Sequence, residues 1–267
     1  MFPIVFSTNF FELHTLWIFF AIAIITATIV LIRLALANRL KIQFINENAW
    51  KIIIWGLIGA RIWSIATNYT TYFNEISLTN FLRIFYFWDK GFEIWGAIIA
   101  ATIYFYILCK KSDQNFWKWL DVIVPATILA LAIGDIGSFF NGTNYGTPSS
   151  LPWAVNFDNA AIKYSVPIHP TQIYAFLYSS IIFVTLMFIG QNQKIKQLEA
   201  SGVVGLIGIA GFCLFYFLEE FVRGDDSLMI FDIKIAQILS LITMIWTITI
   251  LYTRFHKKRS RLHSKRI

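Results

Sequence analysis

Seven long apolar stretches, separated by short polar segments, constrain the fold of this chain more than any other feature. About 20 apolar residues in helical conformation cross the hydrocarbon core of a bilayer. Stretches that approach or reach this length are Leu16–Leu36, Trp50–Ile65, Ile94–Cys109, Leu120–Phe139, Gln172–Gly190, Val203–Phe221 and Ile233–Tyr252. With 57% hydrophobic and only 14% charged residues, the chain lacks the polar surface of a soluble protein. We therefore expect an all-α polytopic membrane protein with seven transmembrane helices, forming one domain over residues 1–267.

The distribution of Lys and Arg predicts the orientation of these helices, because cytoplasmic loops carry an excess of positive charge. Most of the 22 Lys and Arg residues fall between spans 1 and 2, 3 and 4, or 5 and 6, or follow span 7. This pattern places the N-terminus outside and the C-terminus in the cytoplasm. The basic tail at residues 254–267 suits anionic lipid head groups beside the last span, so we expect no nucleic-acid partner.

Two polar strings lie at the edges of spans 4 and 5 and mark a candidate site. The first runs from Gly134 to Gly142 and the second from His169 to Tyr174, and a short outer-surface loop region joins them. Polar groups at membrane depth are tolerated where they are buried in protein or line a wet cavity. A structural alternative is a glycine-rich helix end followed by a helix that starts at a proline.

Ionisable residues within or beside the spans form a second group of candidates. Arg61 lies in span 2, Asp135 near the end of span 4, and Glu220 and Arg223 at the end of span 6. Because an unpaired charge in hydrocarbon is costly, these groups are expected to face inward and pair with one another. Such a cluster indicates either a functional site or a structural ion-pair lock.

Several short motifs, in order along nearly the whole chain, resemble those of the prolipoprotein diacylglyceryl transferases. The Gly134–Gly142 string is similar to that family's Gly-Arg-x-Gly-Asn-Phe-x-Asn-Gly-Glu signature, and the His169–Tyr174 string to its His-Pro-x-Gln-Leu-Tyr-Glu motif. Further similarities are Leu13-His14, Gly59-Ala60-Arg61, Phe87-Trp88-Asp89-Lys90-Gly91, Glu220-Phe221-x-Arg223 and Gln237-Ile238-Leu239-Ser240. The resemblance implies seven helices in the bacterial cytoplasmic membrane and transfer of diacylglyceryl from phosphatidylglycerol to a lipoprotein cysteine.

The chain departs from the family pattern where the chemistry is expected. Trp95 stands at the family's catalytic histidine, and Asp135 and Tyr216 stand at two of its arginines. The reaction needs a base or hydrogen-bonding group for the acceptor thiol and cationic groups for the departing phosphate. Trp cannot act as a base, and Asp repels phosphate. The resemblance therefore predicts the family scaffold with weak or lost transfer activity.

We assign roles to the other candidate site residues from the resemblance and from their chemistry. The candidate catalytic residues are His169, Tyr174 and Tyr216. The candidate substrate-binding residues are Arg61, Asp135, Asn141, Gly142, Gln172, Glu220 and Arg223. Neither a metal nor a cofactor is expected. The expected partners are a membrane phospholipid and a lipoprotein precursor, bound by a monomer.

Three hypotheses about function stay open at this point. The first is a homologue that binds lipid or lipoprotein and has little or no native activity. The second is an active transferase with altered chemistry, using His169, Arg61 and Arg223 with Tyr174 or Tyr216. The third is a transporter or assembly factor in which Asp135 and neighbouring glutamates bind a cation or proton.

Overall fold

In the part of the chain that the computed structural model describes, seven helices follow one another, and all of them coincide with the apolar stretches. The structure describes residues 4–8, 12–69, 93–157, 162–191, 201–225 and 227–264, with no side chains described beyond Arg254. The helices are α1 Thr15–Ala37, α2 Ile42–Thr67, α3 Ile94–Lys111, α4 Phe116–Asn141, α5 Thr171–Gln191, α6 Val203–Glu219 and α7 Ile235–Ser264. The Phe87–Gly91 motif lies outside the described residues.

Six of these helices are long and apolar enough to cross a membrane, and α6, with 17 residues, is a shorter apolar helix. Large apolar side chains are exposed along them, among them Ile25, Ile53, Ile181 and Trp246. An exposed apolar surface of this extent is what a lipid solvent requires and what water disfavours. The protein is therefore a polytopic, all-helical membrane protein, as the sequence predicts.

Several helices extend beyond the predicted spans. Helix α2 begins at Ile42 instead of Trp50, and α7 continues to Ser264 instead of ending near Tyr252. In both cases polar residues lower the hydropathy of a segment that still forms helical backbone hydrogen bonds. Consequently the polar residues Gln43, Glu47 and Asn48 lie within α2.

The described residues also form two pairs of short antiparallel strands, which the sequence did not predict. Strand β1 (Ile4–Ser7) pairs with β2 (Glu12–His14), directly before α1. Strand β3 (Met229–Ile230) pairs with β4 (Ile233–Lys234), directly before α7.

The chain divides into two compact units. The unit Arg39–Phe116 contains α2 and α3, which cross at Gly59 and Gly96. A Cβ atom on Gly59 would overlap the Gly96 carbonyl oxygen and the Ala100 side chain, so the close approach requires glycine. The Glu93 amide also donates to the Ala60 carbonyl at 3.3 Å.

The other unit, Met1–Asn38 with Trp117–Ile267, contains α1 and α4–α7. Its core lies between α4, α5 and α6 and includes Ile128, Ile182, Leu186 and Val204. At one end of this core, the Asp121 carboxylate of α4 accepts hydrogen bonds from two amides at the start of α6. The donors are Gly202 N at 2.6 Å and Gly205 N at 2.8 Å. Asp121 thus caps α6 from a neighbouring helix.

Candidate functional site

The two polar strings meet where α4 ends and α5 begins. Asn141 is the last residue of α4, and Gly142 continues from it with a φ of 75°, a conformation that favours glycine. The buried Gln172 side chain of α5 donates from Nε2 to the Thr143 carbonyl at 2.6 Å. Thr171 Oγ1 donates to the Asn144 carbonyl at 2.5 Å. These two hydrogen bonds bring the two polar strings together.

A third segment, which follows α6, completes the arrangement. Gly146 N donates to the His169 carbonyl at 3.1 Å, while Thr147 N donates to the Val222 carbonyl at 2.8 Å. Gly224 N donates to the Tyr145 carbonyl at 2.8 Å. A Cβ atom on Gly146 would lie 2.5 Å from the Cβ of His169, so glycine permits the three segments to meet.

Arg223 lies at the centre of this junction, and all three of its guanidinium nitrogens have partners. Nε and Nη2 donate to the two carboxylate oxygens of Asp225 at 2.7 and 2.9 Å. Nη2 also donates to Asn144 Oδ1 at 2.7 Å. Nη1 donates to Glu220 Oε1 and to the Tyr216 hydroxyl, both at 3.2 Å. Such a bidentate pairing with a carboxylate uses the geometry in which arginine also binds phosphate.

Glu220 is shared between Arg223 and a buried lysine. Its Oε2 lies 3.3 Å from Lys234 Nζ, and its side chain is only 2% exposed. Lys234 Nζ also donates to the backbone carbonyls of Glu220 and Arg223, at 2.9 and 2.8 Å. The predicted pairing of Glu220 with Arg223 is confirmed, and Lys234 is an additional partner that the sequence analysis missed.

Two further carboxyl groups face this junction from the helices. Glu219 accepts a hydrogen bond from the Tyr178 hydroxyl at 2.8 Å. The half-buried Asp135 carboxyl lies within electrostatic range of Glu219 and Arg223. We call Asp135, Glu219, Glu220, Arg223, Asp225 and Lys234 the charge cluster.

The charge cluster contains four acidic and two basic side chains. With all of them ionised it carries an excess of negative charge. Burial lowers the pKa of Arg223. The nearby Tyr216 and Asp225 raise this pKa by a larger amount, so the net shift is upward. Arg223 therefore stays charged, and its charge is balanced by the protein's own carboxylates.

His169 and Tyr174 lie beside this junction and contact each other. The Tyr174 hydroxyl is 3.2 Å from His169 Nδ1 and accepts a hydrogen bond from Trp153 Nε1 at 2.7 Å. Because an indole nitrogen only donates, Tyr174 keeps its own proton available for His169 Nδ1. When the Tyr174 hydroxyl donates to Nδ1, the ring proton of His169 lies on Nε2, where it can serve as a hydrogen-bond donor.

Arg61 and Trp95 belong to the other compact unit. Arg61 is buried in α2 with 6% exposure, and Trp95 is half-buried in the first turn of α3. The pairing of Arg61 with members of the charge cluster, which the sequence suggests, stays a prediction. Among the described residues, no group of three or more His, Cys, Asp or Glu side chains could hold a metal ion.

Sequence analysis missed some residues that organise the site. They are Asn144 and Asp225, which hold Arg223, together with Lys234, Tyr178 and Trp153. Asp225 carried a usable signal, since it lies two residues after Arg223. The others are brought to the site from distant positions by the packing of α5, α6 and α7.

Comparison with known proteins identifies the family. The family model described as prolipoprotein diacylglyceryl transferase matches residues 3–253. A phosphatidylglycerol–prolipoprotein diacylglyceryl transferase of Finegoldia magna is 32% identical over 246 residues, covering 89% of this chain and 90% of the relative. Its counterpart in Pediococcus pentosaceus is 30% identical over 97% of this chain and 92% of the relative. The chain belongs to the prolipoprotein diacylglyceryl transferase family.

Proposed function

We propose that this protein binds a membrane phospholipid and a lipoprotein precursor, and that its transfer of diacylglyceryl from phosphatidylglycerol is weak or lost. The observation that carries the proposal is the set of partners around Arg223. Both carboxylate oxygens of Asp225 occupy its Nε and Nη2, and Glu220 and Tyr216 contact its Nη1. A lipid phosphate would have to displace these protein groups.

The charge balance of the cluster supports the same proposal. Transfer would join the cysteine sulfur to a glyceryl carbon of the lipid and break that carbon's bond to the phosphate oxygen, with glycerol phosphate leaving. Negative charge on the departing phosphate needs cationic stabilisation. A carboxylate about 6 Å from the departing phosphate would instead repel each unit of its negative charge by about 3 kcal/mol at an effective dielectric of about 20. When ionised, Asp135 would add such a charge at a position where the resemblance implies arginine.

Other features of the site support the binding of a substrate. The Gln172 side chain is 1% exposed, and among the described residues its Oε1 has no hydrogen-bond partner. A buried acceptor of this kind favours a ligand that donates a hydrogen bond. His169, with its proton on Nε2, would offer a donor close by. We assign both residues to substrate binding, and Tyr174 to holding His169 in this tautomer.

We also propose the orientation and location that the sequence predicts. The N-terminus would lie outside and the C-terminal tail in the cytoplasm, in a bacterial cytoplasmic membrane. The junction of the 142–147, 169–172 and 222–225 segments would then face the outer leaflet, where a translocated lipoprotein precursor is accessible.

The experiment is a transfer assay with the purified full-length protein in detergent, labelled phosphatidylglycerol and a lipobox peptide. The family member of Finegoldia magna serves as the active reference. We expect negligible transfer by the wild-type chain. The triple variant Trp95→His, Asp135→Arg, Tyr216→Arg should gain transfer, because it restores the family's residues. Asp113→Arg, at an exposed position, makes the same charge change as the Asp135 substitution outside the site.

Transfer by the wild-type chain at the rate of the reference would overturn the proposal. Binding is measured separately, as retention of labelled phosphatidylglycerol and of the peptide by the immobilised protein. Absence of both kinds of binding, together with a cation or proton flux in proteoliposomes that Asp135→Asn abolishes, would favour the transporter hypothesis instead.

A further inference from the structure

The hairpin between α6 and α7 has an unusual turn. Strands β3 and β4 pair Met229 with Lys234 and Ile230 with Ile233, which leaves a two-residue turn at Phe231 and Asp232. Both turn residues have positive φ, 50° and 61°. Such turns favour Asn and Gly, and a bulky aromatic residue is rare in this conformation. The turn therefore holds Phe231 at its tip against its local backbone preference.

The tip of this hairpin is apolar and projects away from the protein. The Phe231 side chain is 94% exposed, and Met229, Ile230 and Ile233 are 48–58% exposed. These four neighbouring residues carry exposed apolar side chains, and we call them the hairpin tip. An apolar patch with this exposure indicates contact with another apolar surface.

The base of the hairpin contacts the charge cluster directly. Lys234, at the end of β4, is buried and contacts the Glu220 carboxylate as well as the carbonyls of Glu220 and Arg223. The Ile235 amide donates to the Leu228 carbonyl at 2.9 Å and closes the base of the hairpin. The tip therefore keeps a defined position beside the cluster.

We infer that the hairpin tip inserts into the membrane at the boundary between lipid head groups and acyl chains, at the edge of the charge cluster. The occupant is membrane lipid, because β4 ends at Lys234 and the transmembrane helix α7 begins at Ile235. The tip thus lies at the depth where α7 enters the bilayer. Its apolar surface is followed along the chain by the exposed face of α7, at Ile242, Ile245 and Trp246.

This position gives the tip a role in lipid entry. A lipid that approaches the charge cluster from the bilayer would pass the hairpin, and Phe231 would contact its acyl chains while the cluster meets its head group. The inference does not depend on whether transfer occurs, since it concerns only where the hairpin lies. It predicts a lipid environment at Phe231 in any folded preparation.

The experiment places a nitroxide spin label at the tip of the full-length protein. Cys109 and Cys213 are buried and are first replaced by alanine, and the label is attached to Phe231→Cys or, separately, to Met229→Cys. The protein is reconstituted in nanodiscs of phosphatidylethanolamine and phosphatidylglycerol. Ser112→Cys, exposed after the end of α3, is the matched water-facing control. Collision with oxygen reports lipid, and collision with a polar nickel complex reports water.

At both tip positions we expect oxygen to relax the label several-fold more than the nickel complex does, and the reverse at the control. A tip label with the control's preference would overturn the inference. So would a label shielded from both reagents in a concentration-dependent way, since that result indicates a second copy of the chain on the patch. Having two labelled positions keeps the test valid if one variant fails to fold.

Discussion

Removing the ammonium group of Lys234 should destabilise the protein strongly. Glu220 Oε2 lies 3.3 Å from Lys234 Nζ, and the Glu220 side chain is 2% exposed. At that distance the attraction is about 5 kcal/mol at an effective dielectric of about 20. Breaking a buried pair on one side typically costs about 3–5 kcal/mol, because it leaves a buried charge without its partner. We expect Lys234→Met to lower the free energy of unfolding by about 3–5 kcal/mol.

The double variant Lys234→Met, Glu220→Gln should recover part of the loss. Replacing both members leaves no uncompensated charge, and such replacements are often close to neutral. Arg223 would keep its bidentate partner Asp225. The double-mutant cycle should therefore give a coupling free energy of about 2 kcal/mol or more, in the direction of mutual dependence.

The assay is reversible unfolding in mixed micelles, followed by circular dichroism for the wild type, both single variants and the double variant. Lys111→Met, exposed at the end of α3, is the matched control and should change the free energy of unfolding by less than about 0.5 kcal/mol. A Lys234→Met variant as stable as this control, with additive effects in the cycle, would refute the assignment of a buried ion pair.

Two further predictions concern side chains that form hydrogen bonds between elements. Asp121→Asn should lower the free energy of unfolding by about 1–2 kcal/mol, because the charged cap at the start of α6 becomes neutral. The control Asp113→Asn, at an exposed position, should change this free energy little in the same unfolding assay. Trp153→Phe should free the Tyr174 hydroxyl, which faces His169, to accept as well as donate a hydrogen bond. Nitrogen NMR of histidine-labelled protein should then show His169 change from one neutral tautomer, protonated at Nε2, to a mixture of both. Trp246→Phe is the exposed control, and a wild-type histidine protonated at Nδ1 would contradict the assignment.

The helices could be predicted from the sequence because a membrane span is a local property. A stretch of apolar residues must satisfy its backbone hydrogen bonds internally, and only a helix does so within one segment. The boundaries were less predictable where Gln43, Glu47 and Asn48 extend α2 with polar residues. The β3–β4 hairpin was missed because Phe231 and Asp232 lack the usual glycine of such a turn.

The sequence by itself determined the class of protein, the spans and the two polar strings that frame the candidate site. The resemblance also predicts that Trp95, Asp135 and Tyr216 stand where the family has histidine and two arginines. Only the tertiary structure decided which distant residues contact Arg223. Asn144 lies 79 positions away from it, and Lys234 meets it through a backbone carbonyl. The strength of a charge depends on the distance and burial of its partners, and these are set by how helices pack and not by the order of residues.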